Sequence, residues 1–313
     1  MPFLEVSGTT GQNALHSALR VGVPSHDDKL GRQTSAWTQS CANPKCSSGW
    51  LQLWRSRCTP CFEGEWACSA GCMETLVANA VRREMRGKDE IAATHAPRMP
   101  LGLILLAKGW ISRHELEDAL TLQRLAGHGR IGGWLKRVAG ISEEMIARAL
   151  AAQWSCISIC GQSSVVAAPE LVPAQIRESC RLFPLRDLRR GTLYLAGNQR
   201  VEHGAVAAIG RMLHAQAEPV FIEDSRWSSS FADQGLRAEV RTTAVEQTAT
   251  ELLTEIIERE RPDDSRLVRV KDLFWLRTWS GSGRMRRSTE SDPQGTRDFL
   301  VPAQRRHQIL GLC

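Results

Sequence analysis

The feature that most constrains this chain is an internal repeat: a shift of thirty residues lays one stretch of sequence over the next. Leu101 then matches Ile131, Gly102 matches Gly132, Leu105 matches Leu135, Ile111 matches Ile141 and Ser112 matches Ser142. The agreement runs on through Leu116 and Ile146, Ala119 and Ala149, Leu120 and Leu150, and Gln123 and Gln153. A fixed offset of this kind marks a duplicated structural unit that buries its apolar face against its neighbour.

Each copy reads as a short helix, a turn, and a longer helix that opens at a serine. Ser112 with Glu115 three residues on is a capping box, and Ser142 is followed by Glu143 and Glu144, which complement the positive end of a helix dipole. Leu116, Ala119, Leu120 and Gln123 share one helical face, as do Ile146, Ala149, Leu150 and Gln153. The two copies are therefore expected to pack as a pseudo-symmetric four-helix unit.

Beyond Trp154 the texture changes to short strands around Ile157, Leu182–Leu185, Thr192–Ala196 and Pro219–Ile222. Helices are expected over Pro173–Cys180 and Val206–Leu213. Glu246–Arg259 reads as a helix stopped by Pro262, and Val268–Trp279 as a strand. The expected fold class is α+β: a tandem helical repeat followed by a small α/β subdomain, preceded by a zinc-finger-like cysteine cluster, with disordered termini. The segmentation is a disordered 1–38, a cysteine-rich module over 39–86, a linker over 87–97, the repeat-bearing domain over 98–225, an extension over 226–279 and a disordered tail over 280–313.

Six of the ten cysteines fall between Cys41 and Cys72. Close pairs of this kind let two thiolates meet one Zn²⁺, and four complete a tetrahedron. The preferred set is Cys41 and Cys46 from a knuckle turn with Cys68 and Cys72 at the start of a helix running to Met85. There i and i+4 side chains share a side, and the positive helix end favours thiolate. Cys58 and Cys61 are the alternative second pair.

Forty Lys and Arg against thirty-four Asp and Glu give a net charge of +6, which suits a phosphate-bearing partner. No secretory signal and no apolar run of membrane-spanning length is readable, so a cytoplasmic location is expected. No histidine pairing or carboxylate pair suggests catalysis. A phosphate loop of the form Gly-x-x-x-x-Gly-Lys-Ser/Thr is missing, so Mg-ATP chemistry is not expected.

Arg130-Ile131-Gly132, Leu135, Ile141, Ile146, Ala149-Leu150 and Gln153, together with Leu101-Gly102, Leu105, Gly109-Trp110-Ile111, Leu116, Ala119-Leu120 and Gln123, resemble the tandem motif of the N-terminal domain of type II secretion and type IV pilus ATPases of the MshE and GspE type. Leu182-Phe183-Pro184-Leu185-Arg186 and Leu193-Tyr194-Leu195 resemble the subdomain that follows it. The resemblance covers about residues 98 to 220.

It implies a cyclic di-GMP site in which each copy serves one half of a two-fold ligand. The residues it implies are Arg98, Leu101, Gly102, Leu105, Gly109 and Gln123 from the first copy and Arg130, Ile131, Gly132, Leu135 and Gln153 from the second. Pro100 stands where the first copy's arginine belongs, and Ala139 where the second copy's glycine does.

The function expected on these grounds is a non-enzymatic regulatory adaptor with a protein partner in secretion, pilus or signalling machinery. The alternatives are a nucleic-acid-binding finger using Arg55, Arg57, Arg82, Arg83 and Arg86 against phosphates, or a purely scaffolding protein with no nucleotide ligand.

Overall fold

The polypeptide between Cys41 and Arg86 folds around its own turns. Asn43 accepts the Lys45 amide on its side chain and the Cys46 amide on its carbonyl, closing a knuckle. A two-residue hairpin follows, β1 (Cys61–Phe62) and β2 (Glu65–Trp66), turned at Glu63 and Gly64, both with positive φ. The knuckle is tied to it by Ala42 N–H donating to Trp66 O at 2.9 Å. Helix α1 (Ala70–Arg86) then runs out of the cluster with Met73, Leu76, Val77 and Ala80 on its buried face.

The structure, a computed structural model, describes residues 41–47, 60–86, 98–159, 164–232, 239–240, 248–280 and 295–303. The expectations for residues 1–38, for the linker 87–97 and for Cys58, Arg55 and Arg57 lie outside them, as does most of 280–313.

The repeat forms four helices, α2 (Leu101–Ala107), α3 (Arg113–Ala126), α4 (Ile131–Ala139) and α5 (Glu143–Gln153). Ser112 and Glu115 make the reciprocal capping box, and Ser142 Oγ accepts from Met145 N–H. The matched positions Leu105 and Leu135, Ile111 and Ile141, and Ala119 and Ala149 fill one core. Gly109 and Gly140, both with positive φ, end the two short helices, so the second copy meets the same turn requirement one residue later than the alignment implies.

A five-stranded mixed sheet follows, in the order β3-β7-β6-β5-β4. Its elements are β3 (Ile157–Ser158), β4 (Val165–Ala167), α6 (Ala174–Cys180), β5 (Phe183–Asp187), β6 (Leu193–Gly197), α7 (His203–Leu213), β7 (Ala217–Phe221) and α8 (Asp224–Ala232). Strands β3, β7 and β6 are mutually parallel, so α7 is a crossover between β6 and β7. Leu193 and Leu195 point to the α6 and α7 side, whereas Tyr194 and Ala196 point to the side of Trp227, the period of two that a strand imposes.

The last elements are β8 (Glu239–Val240), α9 (Ala249–Glu260), β9 (Asp264–Val270), β10 (Leu273–Trp279) and β11 (Thr296–Pro302), the four strands ordered β8-β11-β10-β9. Two sequence expectations are corrected here. Val268–Trp279 is two strands, because Lys271, with φ +54°, turns the chain between Val270 and Leu273. The tail from 280 contains β11, whose pairing with β10 supplies the local order its Gly, Ser and Arg composition hides.

This sheet joins the cysteine-rich stretch to the C-terminal extension. Leu267, Phe274, Leu276, Phe299 and Val301 pack on α1 and α9, while the alternate residues Val268, Trp275 and Leu300 pack on the α6 and α7 layer. The cysteine-rich stretch and the C-terminal extension, read as separate segments from sequence, therefore share one core. Buried Glu84 of α1 fastens the same junction, accepting from Arg211 Nη2 at 2.8 Å and from Arg269 N–H at 3.1 Å. The architecture is mixed α/β, and no helix among the described residues is long and apolar enough to cross a membrane.

Candidate functional site

The four cysteines of the preferred set meet. The sulfurs of Cys41, Cys46, Cys68 and Cys72 all lie within 4.8 Å of one another, with Cys46 to Cys68 at 3.4 Å and Cys68 to Cys72 at 3.7 Å. Metal–sulfur bonds of about 2.3 Å in a tetrahedron require sulfurs about 3.8 Å apart, so this donor set fits a thiophilic ion. Asn43 Nδ2 donates to Cys72 Sγ at 3.3 Å, and the Cys68 amide to Cys41 Sγ at 3.5 Å, outer contacts that orient the ligands.

The Ser69 contact pulls the Cys72 thiol below its ordinary range, with Asn43 adding to the effect, while burial pushes Cys41 up to about 11. Cys61 stands apart on β1, its thiol raised by burial and by Asp264 and Asp263, and is not part of the cluster. The alternative pair therefore does not form at its described member.

The second site is a cleft of about 320 Å³. One wall is the first turn of α4, from Arg130 to Gly133, and beside it stands Leu101 of α2. A Cβ on Gly132 would lie 3.8 Å from Leu101, so the matched short helices bring their starts together here. Arg130 is the N-cap of α4 but its side chain does not cap it, which leaves the first amides of that helix without a side-chain acceptor. Such an end attracts anions.

Helix α5 supplies Ile146, Leu150 and Trp154. The remaining wall is Asn198, Gln199 and Arg200 after β6 and Ile222 to Asp224 after β7. Both segments leave the carboxyl ends of parallel strands, where open α/β sheets commonly hold ligands.

Trp154 is flanked by two guanidinium groups, Arg98 with its carbon 3.7 Å from the ring centre and Arg200 at 4.6 Å. Arg98 thus reaches the rim of the cleft although Pro100 occupies the motif position. The Gln199 amide oxygen, in the orientation that satisfies both ends of that amide, accepts from Arg130 Nη2 at 2.6 Å and from Arg181 at 3.1 Å. Two polar atoms of this wall, Arg200 Nε and Asn198 Oδ1, are buried with no hydrogen-bond partner among the described residues.

At the other end of the cleft, where Glu143, Glu223 and Asp224 line it, two of the three carboxylates are committed. Glu143 accepts from Lys136 and from the Ser225 amide, which holds its carboxyl down at about 2, and Asp224 accepts from Asn198 Nδ2 at 2.9 Å.

Of the residues the tandem motif implies, Leu101, Arg130, Ile131 and Gly132 line the cleft. Arg98 stacks on Trp154 at its rim, and the rest take structural places. Leu105 and Leu135 are fully buried in the helical core, and Gly109 sits at the end of α2. Gly102 is crossed by Leu116, whose Cδ1 would stand 2.6 Å from an added Cβ. Gln123 donates to Gly129 O and Gln153 to Met99 O.

The cleft is accordingly built mainly by the second copy and the α/β layer, with Leu101 from the first copy, and not symmetrically by both copies. Trp154, Asn198, Gln199 and Arg200 were not singled out from sequence. Trp154 adjoins Gln153 and was within reach of the motif, whereas Asn198 to Arg200 arrive through tertiary packing alone.

No family model matches the chain, and no curated protein matches it. Among solved structures, one of MshE with cdg is similar at 26% sequence identity, the match covering 44% of this chain and 100% of that chain with a TM-score of 0.33.

Proposed function

We propose that this chain is a non-catalytic regulatory module of the cytoplasm that binds a cyclic dinucleotide, cyclic di-GMP first among candidates, and carries one structural Zn²⁺. The observation that carries the ligand reading is the meeting of Arg130 and the uncapped start of α4 with unpartnered Arg200 Nε and Asn198 Oδ1 beside Trp154. Guanidinium groups and helix-start amides suit phosphate, and an aromatic ring flanked by arginine suits a stacked base.

A cleft of 320 Å³ is at the small end of ligand sites, roughly 300 to 1,000 Å³. It takes one half of a dinucleotide, the other half lying towards Arg98. The Zn²⁺ reading rests on the four-thiolate donor set, which favours zinc among common divalent ions. The output is protein contact, with secretion or pilus machinery as the partner class the motif suggests.

Titration calorimetry with cyclic di-GMP tests the ligand. Saturable binding that weakens at least about tenfold in Arg130→Ala, and similarly in Arg200→Ala, supports it, since one charge-assisted contact is worth about 1.5 kcal/mol or more. No heat, or heat indifferent to both substitutions, would overturn it. Salt-dependent binding to DNA instead would favour the nucleic-acid class, against which Arg83 is already engaged with Glu63 at 2.7 Å.

A further inference from the structure

Helix α5 has a second flank. Ile146, Leu150 and Trp154 face the cleft, whereas Arg148, Ala151 and Ala152 line a separate and larger cavity of about 840 Å³. Its other walls are Cys156, Ile157 and Ser158 at β3, Ser164, and the turn between β5 and β6 that carries Arg189 and Arg190.

That turn is fixed from within. Asp187 Oδ1 accepts the amides of Arg189 at 2.9 Å and of Arg190 at 3.3 Å, its carbonyl accepts from Gly191 N–H, and Tyr194 Oη donates to Oδ2 at 3.4 Å. The only carboxylate among the described lining residues is thus spent on local structure. Arg189 and Arg190 form no ion pair among the described residues, and Arg148 meets only Glu144 on its own helix. Three guanidinium groups from two distant parts of the chain therefore share a cavity whose one acid is already used.

Concentrating like charge in this way costs free energy that a multiply charged anion recovers, and guanidinium pairs best with phosphate or carboxylate in a forked geometry. The apolar wall of Ala151, Ala152 and half-exposed Ile157 suits a flat ring beside those charges. We propose that this cavity binds a nucleoside di- or triphosphate, its phosphates on Arg148, Arg189 and Arg190 and its base against Ile157 and α5. It is a binding site and not a hydrolytic one. The assignment does not depend on the cyclic-dinucleotide reading of the cleft.

The test is calorimetry of the full chain with ATP, with inorganic pyrophosphate as competitor. Arg189→Glu with Arg190→Glu, both at exposed positions, should weaken ATP at least about thirtyfold through two lost charge-assisted contacts, and Arg148→Gln should weaken it less. Arg130→Ala should leave ATP binding unchanged. Pyrophosphate should displace ATP. ATP binding indifferent to the double reversal, ATP binding lost in Arg130→Ala, or no ATP binding at millimolar concentration would each overturn the proposal. So would single-stranded nucleic acid binding in place of ATP.

Discussion

Gln153 Nε2 donates to Met99 O at 2.8 Å, bridging the end of the second copy to the lead-in of the first. Its thirty-residue counterpart does the reverse: Gln123 Nε2 donates to Gly129 O at 2.8 Å, from the end of the first copy to the lead-in of the second. The glutamines of the repeat are reciprocal clasps. Replacing either with leucine removes the acceptor's partner and should cost about 1 kcal/mol, additive in the double variant because the contacts lie apart. Urea denaturation of the three variants checks this, and a cost confined to one of them would break the symmetry argument.

The glycine two residues into each short helix is set by close packing. Alanine at Gly102 would place Cβ 2.6 Å from Leu116 Cδ1, and at Gly132 only 3.3 Å from Ile146 Cγ2. Leu116 is buried and has little room to turn. Gly102→Ala should destabilise by about 1 to 3 kcal/mol despite its gain in helix propensity, and Gly132→Ala by less. Thermal melts would show the reverse order if the Leu116 contact does not matter.

Metal content and stability should move together. The full chain is expected to carry one zinc per molecule by elemental analysis, retained in Cys61→Ser and lost in Cys68→Ser. Because Cys68 and Cys72 belong to the same core as Phe274 and Phe299, chelation should lower the melting temperature of the C-terminal sheet as well as of the cysteine-rich stretch. An unchanged melt after chelation would show that the cluster needs no ion.

Glu84 is a buried carboxylate with three donors, Arg83, Arg211 and the Arg269 amide. Glu84→Ala strands those donors, and the expected cost is about 3 kcal/mol. Hydrogen exchange should quicken in α1 and α7 together. Faster exchange in α1 alone would mean that Arg211 contributes nothing.

Acid should loosen the contact between α5 and α8. The Glu143 carboxyl, ordinarily near 4.5, is held down at about 2, chiefly by Lys136 and then by the Ser225 amide. Its stabilisation is complete above about pH 5 and fades as the pH falls towards 2, because the unfolded chain takes up that proton first. After allowance for solvent screening this amounts to roughly 1 kcal/mol. Glu143→Gln should flatten the corresponding part of the stability profile, and an unaltered slope would contradict the assignment.

What could be read from the sequence was what is local or periodic. The repeat, its serine caps, the helix leaving the cysteines and the set Cys41, Cys46, Cys68 and Cys72 all lie within a few turns of their determinants. Arg130 and Gly132 entered through the resemblance to the tandem motif, not through spacing, and both line the cleft. Asn198, Gln199 and Arg200 carry no spacing that ties them to α4, because a crossover through α7 and β7 brings them there. β11 was hidden by its composition, and the pairing that orders it lies on the far side of a long connection.

The sheet with two differently employed faces also sets an order of events during synthesis. Met73 and Val77 leave the ribosome long before Leu253, Phe274 and Phe299, the side chains that cover them. Until those last residues arrive, α1 has an uncovered oily side and the α6 and α7 layer lacks Trp275 and Leu300. A nascent chain halted near residue 225 should therefore be a client for chaperones, and α1, made before the layers that cover it, should be among the last elements to become native.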